Sequence, residues 1–434
     1  MRAFRFACTT VVFTSLLATA VPASAQDAAA AQAIRAEIDQ LRNDFAARLA
    51  DLESRLAAMS GGQSPAAGAA PPQAAPPAQP TAAVPPGAEG GGGPSGALPV
   101  YGNASAMSKI FNPDMAVIGN FLGVGGANRV APEPAMAMRE SEVSLQAIVD
   151  PYARADFFLA FGEEGVDLEE GYITFTALPG ILTKVGKMRS AFGKINTLHT
   201  HAIPWADRPI VTGNLLGGEE GIADAGISLA RLIPNPWLFV EATGQVFRGD
   251  SGDVFHSRKR GDLSFVGHLR GYQDFTESTN LDLGVSYARG HNSTGLVDGE
   301  DIGRFVTNLF AVDGTFRWRP LQRSIYHSFI GRSEVVFSRQ DQFGGLQSAK
   351  GLYVSGDYQM GRRWYTGLRF DRSDRAADAA MHDSGASLTL TFWPSEFSQI
   401  RGQVRRTNYA EGVTANEVLF QIQFGIGAHA AHPF

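Results

Sequence analysis

The stretch KINTLHTHAIPWADRPIVTGNLLGGEEG, Lys194 to Gly221, sets two imidazoles two residues apart (His199, His201), an indole (Trp205), an Asp-Arg-Pro (Asp207, Arg208) and a Glu pair (Glu219, Glu220) in one segment. Three roles fit. His-x-His can supply two ligands to a divalent metal, with the third from Asp207 or from His429 and His432 in GAHAAHPF. A loop with rigid anchors at Pro204, Trp205 and Pro209 can narrow a pore, its Asp207, Glu219 and Glu220 facing arginines across it. The same length can serve as an outer lid or a contact between subunits. A structureless segment of ~30 residues in a compact domain is usually functional, so the surrounding elements must decide.

Other motifs carry no chemistry. GVGGAN (Gly123–Asn128) has no helix pattern after it, so it is not a nucleotide loop. No nucleophile elbow accompanies the Ser, His and Asp residues. Glu163-Glu164 and Glu169-Glu170 are adjacent pairs near an expected outer loop and read as solvated rim charges. No enzyme activity and no cofactor are expected.

The chain opens MRAFRFACTTVVFTSLLATAVPASAQD: a basic n-region (Arg2, Arg5), an apolar h-region and Ala23-Ser24-Ala25 before the cleavage point. This is a secretory signal over residues 1–25. Its removal takes away the only cysteine, Cys8, and with it disulfides, zinc-thiolate sites and cysteine nucleophiles. The loss of Arg2 and Arg5 leaves 35 basic against 43 acidic residues, a formal charge of −8, and no basic tract of nucleic-acid type.

Three regions follow. Within 26–61, Ile34, Ile38, Leu41, Phe45, Leu49, Leu52, Leu56 and Met59 form an a/d seam with one stutter at Phe45–Leu49. An isolated helix with so narrow an apolar stripe self-associates, and the seam predicts a coiled coil of undefined oligomer number. Residues 62–100 are a Pro/Ala/Gly linker without a core. From residue 101 to 434 the period becomes that of strands, sixteen in number: 114–124, 140–149, 152–161, 167–177, 183–191, 222–231, 237–247, 263–273, 280–290, 304–318, 325–339, 349–359, 363–373, 384–393, 397–407 and 416–427. Their connections alternate between short turns (150–151, 178–182, 233–236, 276–279, 320–324, 361–362, 394–396) and longer loops (192–221, 248–262, 291–303, 340–348, 374–383, 408–415). Short on one side and long on the other is the plan of an all-β, sixteen-stranded antiparallel transmembrane barrel.

Sidedness points the same way. In 304–318, Phe310, Val312, Phe316 and Trp318 oppose Asp313 and Arg317; in 397–407, Ile400 and Val404 oppose Arg401 and Arg405. Charged residues cannot line a dry core unpaired, since each would cost several kcal/mol, about 3–5 for a broken buried pair. A watery lumen with the apolar face toward lipid accommodates them. The inward basic set is Lys187, Arg189, Arg270, Arg317, Arg332, Arg369, Arg401 and Arg405; the acidic set is Asp156, Glu169, Asp313, Glu334 and Asp371. Aromatics near strand ends (Trp237, Trp318, Trp364, Trp393, Tyr409) fit interfacial girdles.

Two stretches carry a family likeness. The final VLFQIQFGIG strand and terminal Phe434 resemble the signal read by the bacterial outer-membrane assembly machinery, with Pro433 as a departure. Val166–Asn196, VDLEEGYITFTALPGILTKVGKMRSAFGKIN, resembles the phosphate-selective porin O and P family, in which an acidic strand, a short turn and a Gly-Lys-rich strand follow one another; Gly186-Lys187-Met188-Arg189 and Phe192-Gly193 stand at the matching places. The resemblance implies a trimeric sixteen-stranded porin whose third long loop, here 192–221, folds into the lumen. The dense ladder of lumen lysines and arginines is missing, so phosphate preference is not implied.

The expectation is an outer-membrane porin passing small hydrophilic solutes or ions, weakly anion-preferring, with its coiled coil in the periplasm and no nucleic-acid partner. Two rivals stand beside it. One is an uptake channel for a metal or metal complex using His199 and His201. The other is an envelope-tethering barrel bound to peptidoglycan or a periplasmic partner through the coiled coil.

Overall fold

The computed structural model describes residues 113–162, 165–297, 300–301 and 304–427, together with Gln40. The signal, almost all of the coiled-coil segment, the linker, Glu163-Glu164, His429, His432 and Phe434 lie outside the described residues. The chain divides into two units, Met1–Val84 and Pro85–Phe434, and the barrel belongs to the second.

Sixteen strands form it: β1 Asp114–Ala127, β2 Met136–Asp150, β3 Ala153–Gly162, β4 Gly165–Phe175, β5 Ile181–Arg189, β6 Ala223–Leu232, β7 Phe239–Phe247, β8 Ser264–Thr276, β9 Thr279–His291, β10 Val306–Trp318, β11 Phe329–Gln342, β12 Gly345–Gln359, β13 Trp364–Asp374, β14 His382–Ser395, β15 Ser398–Asn408 and β16 Thr414–Gly427. Each pairs antiparallel with the next, and β1 pairs with β16 (Ala116 opposite Gly427, Ala127 opposite Asn416), closing the sheet. Closure removes both edges, so every ladder group is paired within the sheet. The number and arrangement of strands match the sequence reading.

The side-chain period of two sorts each strand between its faces. In β10, Leu309, Ala311, Asp313 and Thr315 are buried inward, while Phe310, Val312 and Phe316 stand exposed on the outside. The outer face repeats this around the barrel, with Leu269, Val285, Leu368, Leu388, Val404 and Phe420 all exposed. So continuous an apolar outer band has no favourable state in water and suits hydrocarbon. Near strand ends, Trp364 lies against Phe392 of the next strand at a ring distance of 4.6 Å.

Two connections differ from expectation. Residues 340–348 are not a long loop: β11 and β12 stay paired to Gln342 opposite Gly345, leaving a two-residue turn. Apart from Phe343 and Leu346, residues 338–348 are polar or glycine, so the apolar alternation that marks a strand in sequence ends before the backbone pairing does. The 320–324 turn is longer, 319–328, and contains a short 3-10 turn at Leu321–Arg323.

Two irregularities shape the site. Between β3 and β4, Phe158 faces Glu170 and Leu159 faces Leu168, so Glu169 is an extra residue. Between β1 and β2, Asn120 faces Glu140 and Phe121 faces Met138, so Arg139 is extra. Bulges of this kind re-aim side chains that regular alternation would send to opposite faces.

Candidate functional site

The segment between β5 and β6 runs back into the barrel and packs on its inner face. Asn196, fully buried, closes its neck. Its Nδ2 donates to the Ser190 and Ile222 carbonyls (both 3.0 Å), and its Oδ1 accepts from the Ile222 N–H at 2.8 Å. Gly193 and Gly221 both have a positive φ of 62°, where L side chains are strained. A Cβ on either would also collide, with the Glu334 carboxylate and the Asn196 side chain respectively. Glu334 in turn accepts from the Lys194 and Ile195 N–H groups at 3.2 and 3.1 Å.

Beyond the neck the segment has an apolar side. Phe192, Ile195, Ile203, Trp205, Val211, Leu215 and Leu216 are buried together with inward-facing Val266, Ala288, Leu309, Ala311, Val336, Ala349 and Tyr353 of β8–β12. The inner wall is therefore not polar throughout, as the sequence pattern implied. One sector carries small and apolar residues, and the loop covers it. Trp205 meets Tyr353 edge-on at 5.4 Å and receives the Arg369 guanidinium over its face at 4.8 Å.

Two charged walls hold the two halves of the segment. On β13 and β15 the wall is basic. Asp207 Oδ2 accepts from Arg369 Nη2 at 2.9 Å and Arg405 Nη1 at 3.0 Å, and Oδ1 accepts from Gln403. Arg401 donates to the Trp205 carbonyl at 2.8 Å. The arginines have second partners: Asp371 for Arg369 (2.7 Å) and Glu417 of β16 for Arg405 (2.8 Å). Burial alone would raise the Asp207 carboxyl, but Arg369 and Arg405 outweigh it and hold it well below the usual carboxylate range. The six-residue helix α1, Ile210–Leu215, continues along this wall, with the Ile210 N–H on Asp371 (3.3 Å) and Asn214 on Asp383 (2.9 Å).

On β2 and β4 the wall is acidic. His199 Nδ1 lies 2.8 Å from Glu142 Oε2 and 2.9 Å from Glu169 Oε2, and its Nε2 lies 2.8 Å from Glu170 Oε2. Both adjacent glutamates reach one imidazole because of the β4 bulge. His201 Nδ1 is 3.3 Å from Glu140 Oε1. The His199 ring also packs on Phe158 at 5.1 Å. Burial pulls this imidazole down, but hydrogen bonds to Glu142, Glu169 and Glu170 win and keep it charged well above the ordinary histidine range.

Glu170 is thus no solvated rim charge: it is 9 % exposed, and its other oxygen takes the Arg189 N–H at 2.7 Å. Asp207 is bonded to Arg369 and Arg405 on β13 and β15 rather than to the His199 cluster, so it is no partner for a His199–His201 metal pair. Glu140 and Glu142 escaped the sequence reading, although their spacing of two on one strand face was visible there.

The remaining candidates are distributed around these walls. Arg189 binds Glu169 at 3.1 Å and the Glu220 carbonyl at 2.6 Å. Glu219 pairs with Arg139, which also donates to the Ala206 carbonyl at 2.7 Å. Arg208 donates to the Leu198 carbonyl at 2.6 Å. Lys187 lies 3.6 Å from Asp167. Farther along the inner face, Arg270 forms two 2.8 Å bonds to Asp282, which Arg317 approaches at 3.8 Å; Arg332 binds Asp357 at 2.6 Å. Asp156 pairs with Arg154 at 2.6 Å, and Asp313 is buried.

No family model matches the chain. An uncharacterized protein of Aquifex aeolicus (strain VF5) is 31% identical over 332 residues, spanning 68% of this chain and 69% of the relative. The chain belongs to the family of that Aquifex protein. Among solved structures, the anion-selective porin from Comamonas acidovorans superposes with a TM-score of 0.51 at 11% identity, over 72% of this chain and 98% of that one. A loop L8 deletion mutant of OmpT, an outer membrane protein of Vibrio cholerae, gives 0.50 at 10% identity over 72% and 98%. At these identities the likeness to the two structures is one of fold: both share the barrel that this member of the Aquifex family forms.

Proposed function

We propose that the protein is an outer-membrane porin, passing small hydrophilic solutes or ions, with the 192–221 segment as its constriction. The observation that carries this reading is one segment bound inside a closed barrel to an acidic wall through His199 and to a basic wall through Asp207. Such a segment narrows the water path and fixes charges across it, which filters permeants by size and sign. The exposed apolar outer face supports residence in lipid. The shared fold of an anion-selective porin supports the channel reading. Anion preference is weak, because the inward guanidinium groups of Arg270, Arg332, Arg369 and Arg405 each face a carboxylate. The working form is a homotrimer with residues 26–61 in the periplasm.

The test is single-channel recording of the refolded mature protein in planar bilayers under a KCl gradient. Stable steps in groups of three with a small anion-selective reversal potential are expected. A correctly folded, heat-modifiable barrel that never conducts would sink the porin reading.

A further inference from the structure

The acidic wall gathers four carboxylates around His199 and His201, with Arg189 in an ion pair and Arg208 close enough to act on Glu140 and Glu169. Glu140, Glu142, Glu169 and Glu170 are gathered within reach of two imidazoles, and Arg189 on Glu169 is the guanidinium that the described ion pairs bring to any of the four. Glu142 is 1 % exposed, yet its Oε1 accepts no hydrogen bond from the described residues, and Glu140 Oε2 is in the same position. A buried carboxylate oxygen without a donor is costly, about 1–3 kcal/mol or more. It needs a cation.

Single donor atoms of Glu140, Glu142, Glu169 and His199 all lie within 4.8 Å of one another. Four ligand atoms around a tetrahedral ion with bonds of 2.0–2.2 Å stand roughly 3.3–3.6 Å apart, so side-chain shifts of up to about an ångström close the set. The outer layer is in place as well. An arriving ion would displace the Nδ1 proton of His199, and Nδ1 then meets the ion while Nε2 meets Glu170 at 2.8 Å, the carboxylate–histidine arrangement that fixes tautomer and ring orientation. Glu170 is itself held by the Arg189 N–H. A cavity of about 250 Å³ lined by Glu140, Glu169, Arg139, Lys187 and Glu219 opens beside the cluster and gives an ion a way in.

We infer that Glu140, Glu142, Glu169 and His199 bind one first-row divalent transition-metal ion, which fastens the loop to β2 and β4. Three carboxylates with an imidazole fit Mn²⁺, Fe²⁺ or Zn²⁺; the nitrogen ligand disfavours Ca²⁺ and Mg²⁺. The inference is independent of whether the barrel conducts.

The mature chain, refolded in detergent and stripped with EDTA, is titrated with Mn²⁺ by electron paramagnetic resonance and with Zn²⁺ by dialysis and elemental analysis, with Ca²⁺ as competitor. About one Mn²⁺ or Zn²⁺ per chain is expected, resistant to Ca²⁺, with Glu170→Gln weakening it about 10–100-fold and Glu142→Gln by at least about 100-fold. Heat-modifiable migration checks that each variant is folded. If Glu142→Gln fails that check, His199→Gln and Glu170→Gln carry the comparison. Folded wild-type protein that takes up neither ion overturns the inference and leaves a cluster sharing protons. Equal affinity in folded Glu170→Gln and His199→Gln variants overturns it too, by moving the ion elsewhere.

Discussion

Two anchors of the inner segment, His199 and Asp207, are held by opposite charges, and they are not equally complete. At the basic end Asp207 has donors on both oxygens, and Arg369 and Arg405 each have a second carboxylate. At the acidic end His199 lies among three glutamates, while a Glu142 oxygen has no donor among the described residues. The signs also orient the segment. Exchanging the two anchors would bring histidine to arginine and aspartate to glutamate, so only one placement of the segment is favourable. A complete ion-pair network fixes a position, whereas an incomplete one leaves room for a ligand.

The largest effect should come from the complete end. Asp207→Ala leaves buried Arg369 and half-buried Arg405 with one carboxylate fewer, and breaking a buried pair costs about 3–5 kcal/mol. Loop release should follow, read as protease cleavage within 192–221 and as larger, noisier conductance. The pH dependence has a definite sign. Because Asp207 is depressed in the folded state, its contribution is present above the ordinary aspartate value and is lost only as pH falls through the lower folded value. The wild-type segment should therefore stay protected at pH 4, and Asp207→Asn should remove that acid resistance. Cleavage of the wild type at pH 4 as fast as of the variant would show that the network is not the latch.

Next comes the neck, which both ends share. Asn196→Ala leaves the buried carbonyls and the N–H of Ser190 and Ile222 without their side-chain partners. At about 1–3 kcal/mol for an unsatisfied buried group, the loss is smaller than that at Asp207. Hydrogen exchange at Ile222 should quicken, while the strands far from the neck keep their protection. Unchanged exchange at Ile222 would mean that the apolar packing of Trp205 and Phe192 alone closes the neck.

The barrel was legible in the sequence because its signal is periodic and repeated sixteen times; a boundary error in one strand, as at 325–328, leaves the count intact. The chemistry of the inner wall was half legible. Alternation placed Arg369, Arg401 and Arg405 on one face, and the length and composition of 192–221 marked it as special. What stayed hidden were contacts between distant segments and departures from alternation. Asp207 and Arg405 are 198 positions apart, and no local pattern joins them. Glu169 and Glu170 read as solvated rim charges, and regular alternation would set adjacent residues on opposite faces, whereas the bulge turns both toward His199. The apolar sector of the inner wall looks, in sequence, like small residues at polar positions.

The smallest expected effect separates selectivity from latching. Arg401 and Arg405 hold the loop, so reversing their charge would change the pore's shape and its field together. Arg317 is a cleaner probe. It is about a third exposed, it approaches Asp282 at 3.8 Å, and no hydrogen bond among the described residues ties it to the 192–221 segment. Asp282 is buried and keeps Arg270 as its closer partner at 2.8 Å, so the 3.8 Å approach of Arg317 contributes little to stability. Arg317→Glu should leave protease resistance and channel noise as they are. It changes the local field by two charges within a Debye length, ~8–10 Å, of the permeant path, so reversal potential should move modestly toward cations and the movement should shrink at high salt. A reversal potential that stays put at low salt would place Arg317 away from the conducting path, and selectivity would then have to be set at the two loop anchors themselves.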